Sequence, residues 1–275
     1  MDLQVKAGVG KELLAFSRTK KLWVLVCVFI GLSVLSPLMI AGLGSLVDSM
    51  SDTYEQLGMD VSAMTEELSS SAMLGVSSQI SDLSFAGLLV FLLLINSFAG
   101  GEQKKRSIII PQSSGLSSIA YILPKFIVYP SAIFVLSLAG VFTGSFVASL
   151  VFDNNDIVFS QLFAAAVILG VCNMFYVCLH LALGTGTGKA CMSSAVCIVA
   201  SVLLPNIFSV WDPAPVYNPF TMNLTAVSAL YGRESASDLF ITVLIALIIM
   251  AAAYFIALFA QNAKKIDNSG DEIVI

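Results

Sequence analysis

A chain of 275 residues with 57% hydrophobic content, 11% charged residues and a mean hydropathy of +0.92 is not a soluble globular domain, which carries about 25% charged residues. Its composition is that of an all-α polytopic membrane protein. The net charge of -5 excludes little by itself; the placement of the charges along the chain says more.

Residues 5–18 have the pattern of a short amphipathic helix lying on the membrane interface. Val5, Val9, Leu13 and Phe16 recur at helical spacing with Lys11 and Arg18 opposite, while Lys6 and Glu12 fall at the edges of the stripe. Segment 1–21 is thus a cytoplasmic interfacial helix. The first apolar run, Leu22 to Val47, has 26 residues, too long for the ~7–15 of a signal-peptide core, and reads as a retained span.

Six apolar runs approach the ~20 residues that cross a bilayer: 22–47, 83–100, 126–152, 157–183, 190–211 and 238–261. With a cytoplasmic N-terminus, twelve basic residues fall inside: Lys6, Lys11, Arg18, Lys20, Lys21, Lys104, Lys105, Arg106, Lys125, Lys189, Lys264 and Lys265. Arg233 alone falls outside. The positive-inside rule then places both termini in the cytoplasm. Trp23 and Trp211 fall at the inner end of span 1 and the outer end of span 5, where amphipathic rings favour the interface. Pro37 interrupts span 1 and should kink it, and Gly140 with Gly144 forms a GxxxG that admits a close neighbour. Cys27, Cys172, Cys178, Cys191 and Cys197 all lie in apolar runs without a CxxC, as small buried hydrophobes do.

The outer segment 48–82 is acidic and helical. Asp48, Asp52, Glu55, Asp60, Glu66 and Glu67 oppose a stripe of Met50, Tyr54, Leu57, Val61, Met64 and Leu68. That stripe has two candidate partners, a second copy of the helix or the chain's own outer loops. Spans 3 and 4 join at Asp153–Asp156, and spans 4 and 5 at the inner turn Gly184–Lys189. In 212–237, Pro213, Pro215 and Pro219 break the chain, and Phe220 to Tyr231 is apolar enough to re-enter the outer leaflet as a short helix. Backbone at that depth needs protein partners for its polar groups.

GTGTGK at 184–189 is not a phosphate loop. The spacing would put Leu183 and Ala190 where Gly and Ser or Thr are required. The spans are nearly free of ionisable groups, with His180 and Lys125 near the cytoplasmic boundary and Asn96, Gln161 and Asn173 as uncharged interhelical bonds. No acid–base pair, metal ligand set or cofactor site is expected, so the chain is not read as an enzyme and its energy must come from elsewhere.

The polar island Gly101 to Lys125, GEQKKRSIIIPQSSGLSSIAYILPK, is the longest on the cytoplasmic side. It resembles the loop after span 2 in the permeases of ABC type-2 exporters, which reads Glu-x3-Gly-Thr, Pro-x-Ser-Arg, then Gly-Lys. Glu102 falls on the Glu, Ser107 on the Thr, Ser117 on the Ser and Lys125 on the Lys. Arg106, Gly115, Ser118 and Pro124 replace the family's Gly, Pro, Arg and Gly. The resemblance implies that Glu102, Lys104, Lys105, Arg106, Ser107, Gly115, Ser117 and Lys125 form an ATPase-coupling element, with a short helix over roughly 107–118 seated in the ATPase.

The resemblance further implies two ATPase subunits, which bind ATP and Mg, and a second permease copy, with lipid around them in a bacterial plasma membrane. No nucleic-acid partner is indicated. The apolar spans and acidic outer surface suit a hydrophobic or amphipathic cargo, with peptide favoured and lipid, drug or polysaccharide as alternatives. Secondary transport is disfavoured by the lack of buried charge; a non-transporting scaffold is the third class.

Overall fold

The computed structural model of the protein describes residues 2–50, 71–101, 117–152, 156–211 and 217–270. All its regular elements are helices: α1 (Asp2–Arg18), α2 (Lys21–Ser49), α3 (Ala72–Asp82), a π-helical turn (Leu83–Gly87), α4 (Leu88–Asn96), a second π turn (Ser97–Gly101), α5 (Ser118–Val151), α6 (Phe159–Thr187), α7 (Ala190–Trp211), a 3-10 turn (Pro219–Thr221), α8 (Met222–Leu230) and α9 (Ala236–Gly270). Six helical stretches are long and apolar enough to cross a membrane: Lys21–Val47, Ala72–Ala99, Ser118–Val151, Phe159–Thr187, Ala190–Val210 and Ala236–Ala263. They are spans 1 to 6 of an all-α, multi-pass membrane protein.

Span 4 is the axis of the bundle. Burial reaches 72% across its apolar window, against 22% for spans 5 and 6. It packs against spans 3, 5 and 6 and against α8. Small residues at its contacts permit this, among them Ala165, Ala166, Gly170 and Gly184. Gly188 closes it in the left-handed conformation at φ 69°, its N–H bonding Gly184 O at 2.9 Å.

Span 2 starts at Ala72, eleven residues before the apolar run that marks it in sequence, because Ser71 caps it and its first turns are buried by neighbours. Its buried pairs fall every four residues: 75 and 76, 79 and 80, 83 and 84, 87 and 88, 91 and 92. A regular helix would rotate by about 40° at each four-residue step. The π turn Leu83–Gly87 under-winds the helix locally, with Leu88 N–H reaching back to Leu83 O, and so keeps one face on the bundle over the whole span.

Gly140 and Gly144 admit span 2 against span 3. Gln79 Nε2 donates to Gly140 O at 2.6 Å, and a Cβ on Gly144 would fall on the Gln79 amide. Ser137 on span 3 accepts from Asn173 Nδ2 on span 4 at 2.9 Å. Pro37 lies inside α2 without ending it, packed against Gly75.

The chain after span 5 folds back into the bundle. Phe220 meets Phe175 and Tyr176 of span 4 with ring centroids at 5.2 and 6.5 Å, and stacks on Phe208 of span 5 at 6.2 Å. Phe175 and Tyr176 lie well inside span 4, so Phe220 and the 3-10 turn pack against the middle of that span rather than at its end. Several polar groups of the turn and of α8 are met by protein: Asn218 Oδ1 accepts from Phe220 N–H, Asn218 O accepts from Thr221 Oγ1, and Thr221 O accepts from Thr225 Oγ1, while Asn223 Oδ1 is buried without a hydrogen-bond partner among the described residues. At the rim, Tyr217 Oη donates to Asp238 Oδ1 at 2.9 Å, and that bond with the adjacent carboxylate charge raises the phenol's pKa above its usual value.

Candidate functional site

A buried polar constellation lies at the end of the bundle where α1, the start of spans 1 and 3, and the end of span 2 converge. Ser117 caps span 3, its hydroxyl accepting from Ala120 N–H at 3.2 Å. The helix therefore begins well before Lys125, which sits fully buried two turns inside it rather than at the edge of a loop. Lys125 Nζ donates to Phe98 O at 2.9 Å, lies 3.4 Å from Glu12 Oε1 and stands 4.9 Å from the Tyr121 ring centroid. Tyr129, one turn further along span 3, donates to Glu12 Oε2 at 2.6 Å. A buried charge is tolerable only when paired and hydrogen-bonded, and here carboxylate, ammonium, phenol and carbonyl satisfy one another.

Helix α1 reaches this site through one face. Gly8, Glu12 and Phe16 recur every four residues toward span 3, while Leu13 and Leu14 are exposed. The apolar stripe drawn through Leu13 is thus rotated in the structure, because the Glu12 carboxylate takes the inward position. Gly8 fits the notch at Pro124, where a Cβ would meet Pro124 Cγ at 2.6 Å and Ala120 O at 3.1 Å. Proline at 124 cannot supply the helical N–H for Ala120 O, and α1 covers that site. Phe16 packs edge-on to Tyr129 at 5.6 Å, and Phe98 stacks on the same ring at 5.1 Å.

A second lysine holds the same helix end. Lys21, the first residue of α2, donates to Leu94 O at 2.8 Å and to Ser97 Oγ, and lies 4.3 Å from the Phe98 ring centroid. Lysines on the last carbonyls of span 2 complement the negative end of its helix dipole. The second π turn, Ser97–Gly101, follows directly and leads into residues 102–116.

Of the residues singled out in the sequence, Ser117 and Lys125 belong to this constellation. Glu102, Lys104, Lys105, Arg106, Ser107 and Gly115 lie outside the described residues, as do most of the acidic outer segment and its apolar stripe. Asn96 donates to Ser194 Oγ at 3.3 Å between spans 2 and 5. His180 is buried against span 5, where Ser193 Oγ donates to His180 O at 2.7 Å and contacts Nδ1 at 2.8 Å. Cys27 and Cys191 face outward, and Cys172, Cys178 and Cys197 are buried. Among the described residues no cluster of His, Cys, Asp or Glu could hold a metal ion.

Two residues carry more than their sequence context suggested. Glu12 is the acid that balances Lys125; an acid interrupting the apolar face of a short helix was its one signal. Asp82 is the other. The apolar run begins at Leu83, which left it outside span 2, whereas the helix places it within. The basic-end constellation joins α1 to spans 2 and 3 through hydrogen-bonded and paired groups. Comparison with models of known protein families, with characterised proteins and with solved structures finds no match.

Proposed function

We propose that the chain is the permease subunit of an ATP-driven ABC type-2 exporter in a bacterial plasma membrane. Two copies would pair around a path for a hydrophobic or amphipathic cargo, with peptide as the favoured class. Two separate ATPase subunits, which bind ATP and Mg, would dock on the polar segment 102–116. The observation that carries this reading is the bond from Lys125 Nζ to Phe98 O, balanced by Glu12. It ties together the two helix ends that flank the polar segment and anchors both to α1. A subunit that takes work from a soluble partner needs such a joint, since a displaced loop between independently moving helices would dissipate the motion.

The test is co-expression with the ATPase encoded nearest to this reading frame and purification through a tag on the present chain. Stoichiometric capture of the ATPase, lost on joint Glu102→Ala and Arg106→Ala substitution while membrane insertion is retained, is the expected result. Absence of capture by the intact chain would sink the exporter reading in favour of a scaffold or an independent transporter.

A further inference from the structure

Asp82 is an acid at membrane depth with no counter-ion among the described residues. Ser36 Oγ lies 2.6 Å from its Oδ2. Ser36 is fifteen residues beyond Lys21, so the contact stands about 22 Å along span 1 from the basic end. The hydrocarbon layer is about 30 Å thick, and the carboxyl lies inside it. Asp82 is half-buried, and its Oδ1 has no hydrogen bond among the described residues. A carboxylate in this position faces a water-filled path or a binding partner rather than lipid.

Among the described residues the chain places no cation beside Asp82. No Lys or Arg occurs from residue 22 to residue 103 or from 126 to 188, and a second copy has the same gaps. Lys21 and Lys125 are committed to the far end of span 2. Arg233, at the opposite rim, lies over the Tyr231 ring at 5.2 Å.

The surface beside Asp82 says what kind of molecule fits. Ser81, Phe85, Leu93 and Ser97 form an exposed line down span 2, held on one side of the helix by the same four-residue register that the π turn imposes. Asp82 sits next to its start, and Phe85 and Leu93 extend it with 46% and 51% exposed apolar side chains. A carboxylate at the head of an apolar track complements an ammonium group carried on an apolar body. We propose that Asp82 is the recognition point for the ammonium group of a cationic amphiphile, with Ser36 holding one carboxylate oxygen so that the other faces the cargo. This deepens the exporter reading and rests on it for the direction of passage, though not for binding.

The full chain in phosphatidylcholine nanodiscs tests this, with a fluorescent amphipathic Leu/Lys peptide, its Leu/Gln counterpart, and dodecyltrimethylammonium as a competing small amphiphile. Empty nanodiscs provide the background. The intact chain is expected to bind the Leu/Lys peptide about tenfold more tightly than the Leu/Gln peptide. Asp82→Asn should abolish that preference, whereas Asp82→Glu and Ser36→Ala, which keep the charge, should preserve it. Displacement of the peptide by dodecyltrimethylammonium assigns the site to ammonium amphiphiles generally, and resistance to it assigns the site to peptides. An undiminished preference in Asp82→Asn, or equal binding of both peptides by the intact chain, overturns the proposal. ATPase capture on the same preparations separates the two failures: capture without charge preference leaves the exporter reading standing, and charge preference without capture leaves the site standing.

Discussion

Glu12 and Lys125 stand 3.4 Å apart with both side chains buried, joining the N-terminal helix to span 3. Tyr129 also donates to the carboxylate, and Phe98 O also accepts from the ammonium. Neither helix alone could bury its charge, so the pair ties the position of α1 to that of spans 2 and 3.

Removing one member should be worse than removing both. Glu12→Ala or Lys125→Ala leaves a charge without its partner, at a cost of about 3–5 kcal/mol. Glu12→Leu combined with Lys125→Met should lose less than either single variant. Thermal unfolding of the purified chain in detergent checks the order, and additive losses would show that the two residues act independently.

Gly144→Ala should destabilise by about 1–3 kcal/mol, because the new methyl would displace the Gln79 amide and break its bond to Gly140 O. In a Gln79→Ala background the same substitution should be close to neutral. A full penalty for Gly144→Ala in that background would place the clash elsewhere.

Phe220→Ala should remove the wedge among Phe175, Tyr176 and Phe208 and cost up to about 3 kcal/mol, the lower part of the range for buried aromatics because Phe220 is only half-buried. Protease cleavage in the segment 212–237 should rise in parallel. An unchanged cleavage rate would mean that other contacts hold the re-entrant turn in place.

Lys21→Ala should loosen the end of span 2 without unfolding the bundle, since Lys125 still holds Phe98 O. Hydrogen exchange at residues 94–101 should accelerate while spans 4 and 6 remain protected. If the ATPase partner is captured, its cargo-stimulated hydrolysis should fall in this variant with basal hydrolysis retained. Unaltered exchange at span 2 would assign Lys21 to surface charge alone.

Composition and run length were enough to establish six membrane-crossing helices, because the cost of exposing apolar surface to water is set residue by residue and sums along a window. They also marked Gly140 and Gly144 as a close approach and the proline-broken stretch before span 6 as irregular. Windows of hydropathy read one helix at a time, however, and assign a polar residue to a boundary. Glu12 therefore looked like an edge residue and Asp82 like the last residue of a loop. Only the tertiary structure brings Glu12 against Tyr129, 117 residues away, and extends span 2 past Asp82 to meet Ser36. Burial of a charge is decided by its partners across the bundle, and the linear order of the chain does not contain them.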